Sequence, residues 1–183
     1  MATTLEPAPM SGPLLAEEPL YEIVDGQTVE LPPMGIYAAY IASCLQGYLF
    51  VYAQTNQNGR AVAEGLFILD PQRNLRRRPD VAFVSAAKWP LDRPLPEGGD
   101  WELVPDLAVE VVSPNDLFQD VIAKMNEYFQ VGVQQVWIVV PSQKQIYVYD
   151  SPTVSRILKE TDELDGGTLL PGFRVPVAKV FQC

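Results

Sequence analysis

The sequence predicts one α/β (α+β) domain built on a mixed sheet. Strand-like and helix-like segments follow one another as a hairpin, a helix, three strands, a helix, two strands and a β-rich tail. The step from a strand at 104–113, through a helix near 116–131, to a strand at 134–141 is long enough for a right-handed parallel crossover. The chain has 183 residues, sufficient for one domain with a full core.

Each element has a local reason. In "YEIVDGQTVEL" (21–31) two β-prone runs flank Asp25-Gly26, a pair suited to a type I′ turn, and Pro32-Pro33 ends the hairpin. Residues 35–53 read as a helix in which Ile36, Tyr40, Cys44, Gly47 and Val51 recur at helical spacing and predict the apolar face. "AVAEGLFIL" (61–69) reads as a strand, followed by a basic loop and a second strand at 79–84. Residues 85–100 form a Pro/Gly-rich loop, long enough for a functional or a mobile edge. Ser113-Pro114-Asn115 is placed to cap the helix at 116–131, and Gly132 to close it. Strands at 134–141, 145–150 and 154–158 and a turn at Asp165-Gly166-Gly167 complete the pattern. Residues 1–19 are rich in Pro and Ala and carry acids, so a loose arm rather than a signal peptide is expected ahead of a single domain at 20–183.

Composition narrows the chemistry. The net charge of −10 argues against a protein that coats nucleic acid by charge alone, while leaving room for one that meets phosphates through a metal ion. There is no histidine. That absence removes Ser-His-Asp and Cys-His nucleophiles, His-ligated zinc and imidazole acid–base catalysis. Neither phosphate-loop motif is present. Cys44 and Cys183 match no metal or redox spacing, and no apolar run reads as a bilayer span, so a cytoplasmic protein without a membrane partner is expected.

Carboxylates, lysine, tyrosine, serine and a hard metal remain. In "PDLAVEVV" the period of two places Asp106 and Glu110 on one face, yet roughly 13 Å apart. Asp106 therefore reads as a strand-start residue near solvent, and Glu110 needs another partner. Asp80, after Pro79 at the start of the preceding strand, is the candidate. Two carboxylates about 4 Å apart repel by about 4 kcal/mol at an effective dielectric of 20, so such a pair persists only if protonated or bridged by a cation. Oxygen donors of this kind suit Mg²⁺ or Mn²⁺. The plainer alternative pairs Glu110 with Arg or Lys and leaves Asp80 a strand-edge acid. Glu64, a third acid inside an apolar run, either completes the metal site or points to solvent.

Asp116, Asp120, Lys124 and Tyr128 share one helical face at i, i+4 spacing. This is either a solvated face or a route back to the strand. About 10 Å of strand and about 12 Å of returning helix bring Lys124 level with Glu110, where a cation stabilises an oxyanion or orients a water.

Taken together, "RRRPDVAFV", "PDLAVEVVSPND", "DVIAKMNEYFQVGVQQVWIVVP" and "DGGTLLPGFRVPVAKVF" resemble a bacterial restriction-endonuclease-like family of the PD-(D/E)XK nuclease superfamily, formerly a family of unknown function. The resemblance runs from about Leu20 to Phe181. It implies a restriction-endonuclease-like mixed sheet flanked by helices. It also implies Mg²⁺ or Mn²⁺ held by Asp80, Glu110 and the main-chain carbonyl of Val111, and phosphodiester hydrolysis, with DNA the expected substrate. The superfamily lysine two positions after the acid is Val112 here, and Lys124 on the helix offers the replacement. Tyr128 resembles the helix tyrosine of related nucleases. Arg76-Arg77-Arg78 adjoin Asp80 and are candidate phosphate contacts or an ordinary basic loop. The alternative is a catalytically degenerate interaction module, favoured by the acidic charge and by the absence of the His or Gln that relatives carry near the first helix start. A homodimer, through hairpin 21–31 or loop 85–100, is a further expectation.

Overall fold

Asp25 (φ 48°) and Gly26 (φ 81°) both take the left-handed conformation. A type I′ turn requires this, and it closes β1 (Tyr21–Val24) onto β2 (Gln27–Glu30). The computed structural model describes residues 19–114 and 116–182. Residues 1–18 of the expected arm, Asn115 of the expected helix cap and Cys183 lie outside the described residues.

The central element is a six-stranded mixed sheet in the order β10-β9-β8-β7-β6-β3. Its strands are β3 (Gly59–Ala63), β6 (Val81–Ser85), β7 (Leu107–Val111), β8 (Gln135–Val140), β9 (Gln145–Ser151) and β10 (Val154–Leu158). Only β7 and β8 run parallel, and α2 (Phe118–Gln130) makes the predicted crossover between them. The hairpin joins β4 (Phe67–Asp70) and β5 (Leu75–Arg77) in a second sheet, β2-β1-β5-β4. A two-stranded ribbon, β11 (Glu163–Gly166) and β12 (Leu170–Pro176), leads to the short α3 (Val177–Val180).

Two cores follow from the alternation along β7. Leu107, Val109 and Val111 face α1 (Ile36–Asn56), the ribbon and α3. Ala108 and its neighbours face α2 together with Phe67, Met125, Tyr128 and Ile138.

Five sequence expectations are corrected. The run 61–69 is not one strand: Glu64 turns left-handed (φ 50°) and splits it into β3 and β4. The basic loop after it contains β5, which the hairpin captures at Ile23 opposite Arg76. The buried face of α1 is Ala38, Ile41, Ala42, Leu45, Leu49, Tyr52 and Ala53, while Ile36, Tyr40 and Val51 are exposed. A helix without a charged residue offers apolar side chains at every angle, so spacing alone could not choose the face. By length and composition α1 would also suffice to cross a membrane, contrary to the expectation that no apolar run does. Its buried side lies on the sheet.

The fifth correction is Asp106, which is 1% exposed rather than near solvent. Its carboxylate accepts from Ser85 N–H (2.7 Å) and Gln134 Nε2 (2.5 Å) and pairs with Lys88 Nζ at 3.1 Å. It thus fixes the start of β7 against the end of β6 and the entry to β8. The loop 85–100 is held in turn by Arg60, whose guanidinium donates to the carbonyls of Trp89, Pro90, Leu91 and Arg93.

Asp106→Ala strands these donors, and a loss of about 3 kcal/mol in unfolding free energy is expected. Urea denaturation reads it as a fall in midpoint. A change below about 0.5 kcal/mol, the range of ordinary surface substitutions, would show that Asp106 holds nothing in place.

Candidate active site

The register of three strands assembles the site. β6 pairs antiparallel with β7 through Val81↔Val109 and with β3 through Ala63↔Val81. One step further along each register, Asp80 falls between Glu110 and Glu64. Glu64 N–H donates to the Asp80 carbonyl at 3.2 Å, as that register requires. Side chains directly opposite in adjacent strands share a face. Asp80 and Glu110 therefore share the face that α2 covers.

Asp80 Oδ2 accepts the Val111 N–H at 2.6 Å. The N–H and C=O of one strand residue open toward the same neighbour, so the Val111 carbonyl lies on the Asp80 side. Burial first, and the charge of Glu110 second, push the Asp80 carboxyl up to about 8, against the opposing effect of the Val111 N–H. Glu110 is also raised, chiefly by burial, with Lys124 opposing.

Glu110 is held from α2. Tyr128 OH donates to its Oε1 at 2.6 Å, and Lys124 Nζ reaches its Oε2 at 3.5 Å. Burial alone would lower the Lys124 pKa, but Glu110 and then Glu22 outweigh it, and the group titrates above its ordinary value. Lys124 is thus an ammonium near neutral pH in the absence of a metal. Tyr128, buried and beside Glu110, is raised well above the ordinary phenol and stays a hydrogen-bond donor.

Glu22, on β1, went unselected in the sequence although an acid inside a strand is the signal that singled out Glu110. It is 1% exposed. It accepts from Arg77 Nη1 (2.7 Å) and Arg78 N–H (3.0 Å) and pairs with Lys124 Nζ at 3.0 Å. Arg77 bridges onward to Glu127 at 2.6 Å. Hairpin, β5 and α2 are tied together by this relay, and it sets where the Lys124 ammonium sits.

A cleft of about 610 Å³ opens over these groups. Its lining includes Glu64, Asp80, Glu110, Asp116 and Asp120 against only Arg78 and Lys124, five acidic side chains to two basic. Among the described residues no three Asp, Glu, Cys or His side chains converge as a metal cluster. Glu64 lines the cleft, exposed, without joining the other two carboxylates in such a group. The three arginines part company. Arg76 turns to Asp100, Arg77 is buried between two glutamates, and Arg78 alone borders the cleft while its guanidinium donates to the Glu64 and Tyr21 carbonyls. The donor set open to a cation is two carboxylates and a carbonyl, all hard oxygens.

Two predictions follow from this electrostatics. A folded Asp80 keeps a proton that the unfolded chain releases near pH 4, so without metal its contribution to stability falls from about pH 4 to pH 8. Asp80→Asn removes that loss. The variant's advantage over the wild type should grow by on the order of 1–3 kcal/mol between pH 4 and pH 8 in chelator, measured by denaturation at both pH values. A constant difference across the range would contradict the raised pKa. Glu22→Gln should cost about 2–4 kcal/mol because it leaves Arg77 and Lys124 short of a carboxylate. Glu30→Gln, on the exposed partner strand, should stay within about 0.5 kcal/mol, and equal effects would refute the relay.

The crystal structure of "a putative nuclease belonging to DUF820 from Anabaena variabilis ATCC 29413" superposes with a TM-score of 0.76 at 16% sequence identity, over 90% of this chain and 90% of that chain. Likeness at that identity establishes a shared fold. No curated protein matches the sequence. A family model described as "Uma2: Putative restriction endonuclease" matches residues 10–178. The chain belongs to the Uma2 family of putative restriction endonucleases.

Proposed function

We propose that the protein is a divalent-metal-dependent endonuclease that hydrolyses phosphodiester bonds, with DNA as substrate. The observation that carries this reading is the Asp80–Glu110 pair: two carboxylates facing each other across neighbouring strands in an open cleft, both with pKa values raised first by burial. Asp80, Glu110 and the Val111 carbonyl would hold Mg²⁺ or Mn²⁺. When bound there, such an ion supplies Lewis acidity toward a phosphoryl oxygen and acidifies an attacking water.

The chain's own groups have separate tasks. Val111 N–H holds Asp80, and Tyr128 O–H holds Glu110, so both carboxylates are fixed before any ligand arrives. Lys124, charged and anchored by Glu22, presents an ammonium to the scissile phosphate or to the attacking water. Arg78 at the cleft edge is the remaining basic contact for a neighbouring phosphate. Arg77 is taken out of that role by its two glutamates. The excess of acids in the cleft means that a polyanion enters only with cations, in keeping with metal dependence. The same excess favours a second reading, a non-catalytic module that keeps the fold and repels nucleic acid.

One set of measurements separates the two. Wild type should bind Mn²⁺, more tightly as pH rises toward 8 because Asp80 must lose its proton. It should also nick DNA in Mn²⁺ about a hundredfold faster than Asp80→Ala or Glu110→Ala. Lys124→Ala should retain Mn²⁺ binding and lose cleavage. Equal nicking by wild type and both carboxylate variants would assign the activity to a contaminant, and no Mn²⁺ binding at pH 8 would favour the module.

A further inference from the structure

A second cavity of about 230 Å³ adjoins the cleft on the same face of the sheet. Val112, Asp116 and Val121 line both spaces, so the two are immediate neighbours. The cavity is walled by Tyr147 and Tyr149 of β9, floored by Ile138 of β8 and bordered by Phe118 at the first turn of α2, with Gln143 also in its lining. Registry fixes its place: Glu110 pairs with Ile138, and Ile138 with Tyr147. Tyr147 therefore stands two strands, about 10 Å, from Glu110 at the same level of the sheet.

We infer that this cavity receives one unstacked nucleobase of the substrate strand while an adjacent phosphate occupies the Asp80–Glu110 cleft. The inference rests on the nuclease reading and names the form of substrate, a single-stranded or locally melted nucleic acid. Its size lies below the roughly 300–1,000 Å³ of sites for drug-sized ligands, the scale of a single flat heterocycle. Three aromatic rings offer stacking faces, the means by which proteins hold single-stranded bases. The only charged side chain in its lining is the acid Asp116. A phosphate is repelled there and an uncharged base is not. Gln143 supplies an amide, both donor and acceptor, for a base edge. Phe118 is 80% exposed, so its ring is accessible to an occupant of the cavity. Splaying a base out of the stack is how proteins reach nucleic-acid groups that a duplex conceals.

The test uses the full chain in Ca²⁺, which neutralises the acids of the cleft and is a poor substitute for Mg²⁺ in activating water, and a single-stranded DNA oligonucleotide carrying one fluorescent aminopurine. Wild type should give a saturable change in aminopurine fluorescence, and should bind the single strand more tightly than the matching fully paired duplex. Phe118→Ala, an exposed position whose loss leaves the fold intact, should weaken single-strand binding about tenfold or more, and Phe118→Tyr should restore it. No fluorescence change in wild type, or Phe118→Ala binding both forms like wild type, would overturn the base site. Nicking in Mn²⁺ is followed in parallel. Asp80-dependent nicking without base capture would defeat this inference and leave the nuclease reading intact. Base capture without Asp80-dependent nicking would do the reverse.

Discussion

Glu110 is a carboxylate set in the middle of a buried strand, and most of the site's organisation answers that fact. An ionised carboxylate at such depth costs several kcal/mol unless hydrogen bonds and opposite charge compensate it. Tyr128 and Lys124 do so from α2. Lys124, itself largely withdrawn from water, then needs more negative charge than Glu110 supplies, and Glu22 provides it from the hairpin. Glu22, fully buried, is balanced by Arg77, and Arg77 by Glu127. Each partner solves the desolvation problem of the one before. The relay adds little net stability compared with apolar packing. Its consequence is positional: the small sheet, the large sheet and α2 are indexed to one another by charges that tolerate no slip.

The Asp80–Glu110 end of that relay was legible in the sequence because strands have a short, unambiguous period. Glu110 stands out in an apolar run, Pro79 marks the start of the neighbouring strand at Asp80, and antiparallel pairing brings the two together. The return of Lys124 by helix followed from counting rises along a strand and a helix. What could not be read depended on contacts that no local pattern encodes. Nothing near α1 distinguishes its Ala38–Leu45–Leu49 side from its Ile36–Tyr40–Val51 side, because both are apolar. The role of Glu22 exists only once β5 pairs with β1 and delivers Arg77 beneath it. Asp106 looks like an edge residue until Ser85, Lys88 and Gln134 converge on it from three connections. The break at Glu64 needs a non-glycine residue in the left-handed region, a cost that local propensity would not predict.

Placing the cation on a helix rather than on the strand has a structural consequence. The residue two after Glu110 shares its face, and here it is Val112. A lysine at that point would have lain across the passage between the cleft and the aromatic cavity, since Val112 borders both. With Val112 just past the end of β7 and the ammonium supplied by Lys124 from α2, the positive charge lies over Glu110, while Val112, Val121 and the acid Asp116 border the side toward Tyr147. On the function proposed above, the face divides into a zone for a cation and the phosphate it carries and a zone for a flat, uncharged ring. A nucleotide carries those two properties at its two ends, and the division of the sheet face follows the same order.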